Sequence, residues 1–164
     1  MTKEWKRTHG KSVFVLLTIL AVWITAAGNT RTVTKVTSGG IVLFGEFEAR
    51  LTGLIVPGAY ESDLGYKIYD FTKRELEGKV VKLFTWTKDN TAAGIVYDDE
   101  GRAFVQIYYG QDLKTSYNEL MLKKGYARVD TKYLPDDLKH YLDLEKEARE
   151  QGLGIWAERE DLLS

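Results

Sequence analysis

The stretch Arg50-Leu51-Thr52-Gly53-Leu54-Ile55-Val56-Pro57-Gly58 decides how the rest of the chain is read. Phe47 to Leu54 alternates apolar and polar residues, the pattern of a strand with one buried face. Pro57-Gly58 ends the run, because proline lacks the donor a sheet needs and glycine accepts turn geometry. Arg50 is the one charged residue of the quoted stretch, while Leu54-Ile55-Val56 is wholly apolar. Arg50 therefore has two readings: an ion pair with an acid such as Glu48 or a loop carboxylate, or a grip on an anion.

Working outward, Thr32 to Thr37 alternates β-branched with polar residues and Ile41 to Phe44 is a short apolar run. With Ser38-Gly39-Gly40 and Gly45-Glu46 as turns, these and Phe47 to Leu54 predict a three-stranded meander. From Ser62 to Glu77 the residues Leu64, Ile68, Phe71 and Leu76 recur at near-helical spacing, and Gly78 supplies a stop. Lys79 to Thr87 and Ala103 to Tyr109 read as further strands, with room for a short one at Ile95-Val96-Tyr97. Ser116-Tyr117-Asn118-Glu119 has the form of a capping box that starts a helix running to Lys124, stopped by Gly125. Pro135, Asp136 and Asp137 suit the first turn of a last helix, whose apolar face is Leu138, Tyr141, Leu142, Glu145 and Ala148. Five strands and three helices in this order predict an α+β fold, a small five-stranded barrel of the OB type with helical additions.

The N-terminus is a separate object. Lys3, Lys6, Arg7 and Lys11 precede sixteen uncharged residues, Ser12 to Ala27, rich in Val, Leu, Ile, Phe and Trp. A basic flank before an apolar run keeps the flank in the cytoplasm and sends the rest of the chain across the membrane. The length lies between a signal-peptide core and a spanning helix. Thr25-Ala26-Ala27 offers a cleavage site and Trp23 an interfacial anchor, so both fates stay open. The expected domains are a basic flank at 1–11, a signal anchor or signal peptide at 12–28, a folded domain at 32–158 and a tail at 159–164.

Setting aside Glu4 and those four basic residues, the 23 lysines and arginines become nineteen and the 24 acids twenty-three, so the remainder is acidic. A protein that grips a polyanion through its phosphates usually carries a basic surface, and no such excess exists overall. With no cysteine in the chain, thiolate metal sites and cysteine nucleophiles are excluded. His9 lies outside the predicted fold and His140 on a charged helix, so neither points to catalysis.

These motifs, in this order, resemble the staphylococcal nuclease family over about Thr32 to Trp156. In that family the deciding strand reads roughly R-L-x-G-I-D-A/T-P-E, and Arg50-Leu51 and Pro57 match it. Phe71-Thr72-Lys73-Arg74 resembles the first-helix motif, and Gly101-Arg102 the loop carrying a second active-site arginine. Asn118-Glu119-Leu120, Gly125-Tyr126-Ala127 and Glu145 through Gly154-Ile155-Trp156 resemble the C-terminal signature. The resemblance implies chemistry in which calcium neutralises the phosphate, a glutamate activates water, and two arginines stabilise charge on phosphorus. Both arginines match, at Arg50 and Arg102. The calcium-binding D-G-D corresponds to Ser38-Gly39-Gly40, the further aspartate and threonine to Ile55 and Val56, and the base to Gly58.

The expectation is thus a nuclease-like domain whose site positions Gly40, Ile55, Val56 and Gly58 have lost the family's residues, with no metal ion, no cofactor and no catalytic residue. Its expected role is a binding or scaffold module in an envelope assembly, held as a single-pass protein at the bacterial cytoplasmic membrane by residues 12–28, or secreted if they are cleaved. The protein partners would be membrane neighbours. Two alternatives remain. One is binding of nucleic acid or nucleotide without cleavage, through Arg50, Arg102 and Tyr133, with Tyr108, Tyr109, Tyr126 and Tyr141 as further stacking faces. The other is an active metal-dependent endonuclease with a rebuilt site, for which Glu46, Glu48, Glu61, Asp63, Asp98, Asp99 and Glu100 are the acids at hand and Glu61 or Asp63 the displaced base. Glu145, on the apolar face of the last helix, reads as a satisfied buried carboxylate.

Overall fold

The computed structural model describes residues 30–88, 94–133 and 137–157. The expected segments at 1–11, 12–28 and 159–164, together with Pro135 and Asp136, lie outside these residues. Apart from Thr30, which ends an N-terminal unit, all of them belong to the compact unit Arg31–Ser164. Among the described residues no helix is long and apolar enough to cross a membrane.

The chain forms β1 (Thr30–Thr32), β2 (Lys35–Ser38), β3 (Ile41–Phe44), β4 (Phe47–Leu51) and β5 (Leu54–Ile55), then helix α1 (Asp63–Leu76). Next come β6 (Val80–Thr85), β7 (Ala103–Tyr109), β8 (Thr115–Ser116), α2 (Tyr117–Lys123), β9 (Arg128–Val129), α3 (Leu138–Glu150) and a single 3-10 turn, Gly154–Trp156. Among the described residues the architecture is α+β, with three helices on a mixed sheet. Its strand order is β1-β6-β7-β4-β3-β2, β8 pairs with β7, and β5 with β9 forms a separate ribbon. The first and last strands of that order, β1 and β2, are consecutive in the chain. The sheet is therefore rolled until its two ends meet at Val33-Thr34, consistent with an OB-like fold.

Two predicted strands are each divided. Thr32 to Thr37 splits at buried Val33, whose N–H donates to the Lys79 carbonyl at 3.0 Å and whose carbonyl accepts from Gly78 at 2.8 Å, so the chain changes partner there. Phe47 to Leu54 splits at Thr52-Gly53, where Gly53 takes φ 71°. There Thr52 N–H donates to Val105 at 2.8 Å and Gly53 N–H to Tyr133 at 2.8 Å, so the chain leaves β3 for the ribbon. At Ile95 and Tyr97 only isolated bridges form, to Thr87 and Ala103.

The helices differ from expectation at their ends. Ser62 caps α1 by accepting from Gly65 N–H at 3.0 Å. Ser116 accepts from Glu119 N–H at 3.3 Å, but the Glu119 side chain does not return to close a capping box; it pairs with Lys123 and His140 instead. Helix α3 starts at Leu138 with Asp137 as its cap, so Asp137 lies outside the first turn. Its buried face is Tyr141, Leu144, Glu145 and Ala148, whereas Leu138 and Leu142 are exposed.

One continuous core joins the helices to the sheet, with Leu51, Ile68, Leu76, Val105, Ile107, Tyr117 and Met121 fully buried. Two buried polar side chains pin it. The Asn118 amide donates to the Thr52 and Val105 carbonyls at 3.0 and 3.3 Å and accepts from Ile107 N–H at 3.1 Å, locking α2 to the parallel β4–β7 pair. The Thr72 hydroxyl lies 3.0 Å from the Gly39 carbonyl and accepts from Tyr117. Satisfied groups of this kind cost a great deal to disrupt, which makes the strand register that holds Arg50 rigid.

Candidate functional site

Parallel pairing of β4 with β7 sets Ala49 beside Ala103 and Arg50 beside Phe104, which brings the two arginines of the strand and the loop to one place. The loop that carries Arg102 is a tight hairpin: Gly101, at φ 79°, donates its N–H to the Asp98 carbonyl at 3.0 Å. Only glycine takes that backbone angle without strain. The geometry turns the Asp98 side chain inward, where it is 3% exposed.

Asp98 is the hub of the site. Its Oδ1 accepts from the backbone N–H groups of Arg102 and Glu100 at 2.9 and 3.1 Å, and its Oδ2 accepts from Arg102 Nε at 2.7 Å. Burial alone pushes this carboxyl up, but the hydrogen bonds and charge of Arg102 and the Glu100 N–H outweigh it and hold the pKa below the ordinary value. Arg102 also pairs with Glu100. It is thus tied on two sides within its own hairpin.

Arg50 is held more loosely. Its guanidinium lies 3.9 Å from Asp98 and 3.7 Å from Asp130, and 5.6 Å from the ring centre of Phe104. These separations are ion pairs without hydrogen-bond contact. The Arg50 side chain keeps 28% of its surface exposed. Its partner is therefore the loop acid Asp98, joined by Asp130, and not Glu48, which instead meets Thr37. Sequence reading passed over Asp130; it is placed by its N–H bonding the Gly53 carbonyl at 2.9 Å, a long-range contact with no local signal.

Beside the arginines is an aromatic cluster. Tyr133 stacks on Phe104 at 4.5 Å and meets Trp86 edge-on at 6.2 Å, while Lys132 covers it at 4.6 Å. Tyr133 is thereby packed against Phe104, Trp86 and Lys132. Tyr109 and Tyr126 pack edge-on against Tyr117 and Phe71, and Tyr141 is buried, so none of these three presents a free ring. Tyr108 pairs with exposed Phe84 on the outer face of the sheet.

The other half of the expected site is hydrocarbon. Gly39 and Gly40 are buried. A Cβ added at Gly39 would lie 2.7 Å from an Ile68 methyl and 2.9 Å from a Val56 methyl, and one at Gly40 would lie 3.0 Å from Val56. A side chain at Gly39 would clash, and one at Gly40 would require Val56 to give by a few tenths of an ångström. The carbonyls of the two glycines are engaged as well, Gly39 by Thr72 and Gly40 by Leu51 N–H at 3.0 Å. Ile55 on β5 is 48% exposed and brings no oxygen. Calcium needs six to eight oxygens converging on one point, and these residues do not fit it. Among the described residues no three His, Cys, Asp or Glu side chains gather where they could hold a metal ion.

Gly58 is closed by its own turn. Its N–H donates to Glu61 Oε2 at 2.9 Å, and its carbonyl accepts from Glu61 N–H at 3.2 Å. A Cβ at Gly58 would meet the Glu61 carboxyl carbon at 2.7 Å, and one at Gly65 would meet the Gly58 carbonyl oxygen at 2.1 Å. Glu61 is thus a cap for its own turn, and Asp63 is the exposed first residue of α1. Asp99 and Glu46 are exposed on their turns. Away from the site, Glu145 accepts from Val129 N–H at 2.5 Å and pairs with Arg149, which anchors α3 on β9.

A family model described as staphylococcal nuclease homologue matches residues 49–158. A protein of Methanocaldococcus jannaschii, named only as uncharacterized, is 35% identical over 100 residues, which is 59% of this chain. The chain spans 44% of the length of that relative.

Proposed function

This chain belongs to the staphylococcal nuclease homologue family, and from that premise we propose that it is a non-catalytic member, a binding or scaffold module that uses the nuclease frame without its reaction. One observation carries the reading: at Gly40, which corresponds to the last acid of the family's D-G-D, a Cβ would lie 3.0 Å from a Val56 methyl, so hydrocarbon faces the place where the reaction needs an oxygen. Cleavage of a phosphodiester by this route requires a metal-activated water and a base together. The first lacks ligands, and at the place of the second stands Gly58, which has no side chain and whose N–H is capped by Glu61. Residues 12–28 would hold the domain at the cytoplasmic membrane or export it across, and its companions would be proteins of the envelope.

A second reading is favoured by the loose pairing of Arg50: anion or nucleic-acid binding without cleavage. Arginine donors at 3.7 and 3.9 Å from their acids keep capacity for a phosphate oxygen.

The test is incubation of the detergent-purified full chain with single-stranded and duplex DNA and with RNA, in calcium, magnesium or manganese and in chelator. No cleavage in any condition is the expected result. Metal-dependent cleavage abolished by Arg50→Ala with Arg102→Ala overturns the reading and establishes a rebuilt nuclease. Oligonucleotide retention that the same double substitution removes, without cleavage, establishes the second reading. Affinity purification from detergent-extracted membranes that recovers no specific companion counts against the scaffold role.

A further inference from the structure

The outer face of β6 and β7 carries a surface that the nuclease-like site does not use. Along β6 the residues Val81 and Leu83 turn to the core, so Val80, Lys82 and Phe84 turn outward. Val80 is 56% exposed and Phe84 44%. The register sets Lys82 opposite Tyr108 and Phe84 opposite Gln106, which puts Tyr108 on the same face, its ring 5.4 Å from that of Phe84. The Lys82 ammonium lies over Phe84 at 4.9 Å. Tyr108 in turn lines a groove of about 270 Å³ that Lys114 and Lys123 flank. Among the described residues the Lys82 and Lys114 ammonium groups form no ion pair, the Lys114 backbone N–H donates to Asp112 Oδ1 at 3.2 Å, and the acid that lines the groove, Glu119, is shared by Lys123 and His140. Three lysines against Glu119 and Asp112 leave a small local positive excess on an otherwise acidic domain.

We propose that this face docks on an anionic phospholipid surface, with Val80 and Phe84 at the headgroup boundary and Lys82, Lys114 and Lys123 on lipid phosphates. Exposed apolar side chains ringed by lysines are what such a boundary takes up: the rings and methyls leave water while the ammonium groups stay at the phosphates. Val80 argues for lipid over a nucleic-acid strand, since an aliphatic edge offers a base nothing to stack on. The position in the fold agrees. Strand β1 is hydrogen-bonded to β6, so residues 30–32 lie beside this face. The inference rests in part on the proposed membrane location.

The chain has no cysteine, so single labels can be introduced. Val80→Cys and, as a reference in the turn before α1, Tyr60→Cys are labelled with a polarity-sensitive dye in the full chain and mixed with vesicles of phosphatidylcholine alone or with phosphatidylglycerol, each containing a headgroup-level quencher. The expected result is quenching at least twofold stronger at position 80 than at 60, only with phosphatidylglycerol, lost in high salt and in the variant K82E/K114E/K123E. Equal quenching at the two positions, or no dependence on lipid charge, overturns the proposal. So does a label at position 80 that responds to a single-stranded oligonucleotide and not to anionic vesicles. Carbonate washing separates the premises: a chain stripped from all vesicles lacks the anchor, and salt-sensitive flotation on anionic vesicles then supports the docking face, while its absence overturns it.

Discussion

The arginine half and the glycine half of the same site have met opposite fates. Around Arg50 and Arg102 the charged side chains remain and are woven into the fold, with Asp98 receiving two backbone donors and a guanidinium. Around Gly39, Gly40 and Gly58 no catalytic acid remains, and Val56, Ile68 and the turn-capping Glu61 occupy the space. The difference teaches that a charged residue with a structural partner has a reason to stay that does not depend on chemistry. Converging carboxylates repel one another without a metal, so they have no such second role.

If the glycine half is now packing, the largest effects belong there. Gly65→Ala drives a Cβ into the Gly58 carbonyl, rigid backbone at the start of α1, and should cost about 3 kcal/mol in urea unfolding. A loss under about 1 kcal/mol would show that the turn gives way easily and that the half is not tightly packed. On the arginine half, Asp98→Ala strips two backbone N–H groups and Arg102 of their acceptor and should cost about 2 to 3 kcal/mol.

Acid titration sharpens the same contrast. Because the Asp98 carboxyl is depressed in the folded protein, the unfolded chain takes up its proton first on acidification. The stability it contributes is fully present above the ordinary aspartate value of 3.8 and is lost as pH falls through the lower folded-state value. Asp98→Asn should flatten this acid limb of the stability curve, whereas Gly65→Ala should shift the whole curve and leave its slope unchanged.

Two substitutions should have smaller effects. Val56→Ala opens space in front of the two glycines and should cost roughly 1 kcal/mol, since Val56 is half-buried. Arg50→Ala should cost under about 1 kcal/mol, because its ion pairs are long and part of its side chain is in water. An Arg50→Ala loss as large as that of Asp98→Ala would break the comparison by making Arg50 a structural residue equal to Arg102.

Much of this was legible in the chain alone. The turns at Gly39-Gly40 and Gly45, the helix stops at Gly78 and Gly125, and the apolar spacing of α1 are local signals, because backbone preference and periodicity act over a few residues. The departure from the family's residues at Gly40, Ile55, Val56 and Gly58 is likewise a matter of which residue stands where. The capping box at Ser116 misled, because Glu119 found stronger partners in Lys123 and in His140, a residue of a different helix.

What the sequence by itself determined is a nuclease-homologue frame with both arginines and without the acids. Only the tertiary structure decided what those positions now touch. That Asp98 and Asp130 share Arg50 depends on the β4–β7 register and on the Gly53–Asp130 hydrogen bond. That Val56 fills the space before two glycines depends on α1 bringing Ile68 across the sheet. Such contacts join residues far apart in the chain, and their energies come from burial and electrostatics that exist only once the sheet has rolled and the core has closed.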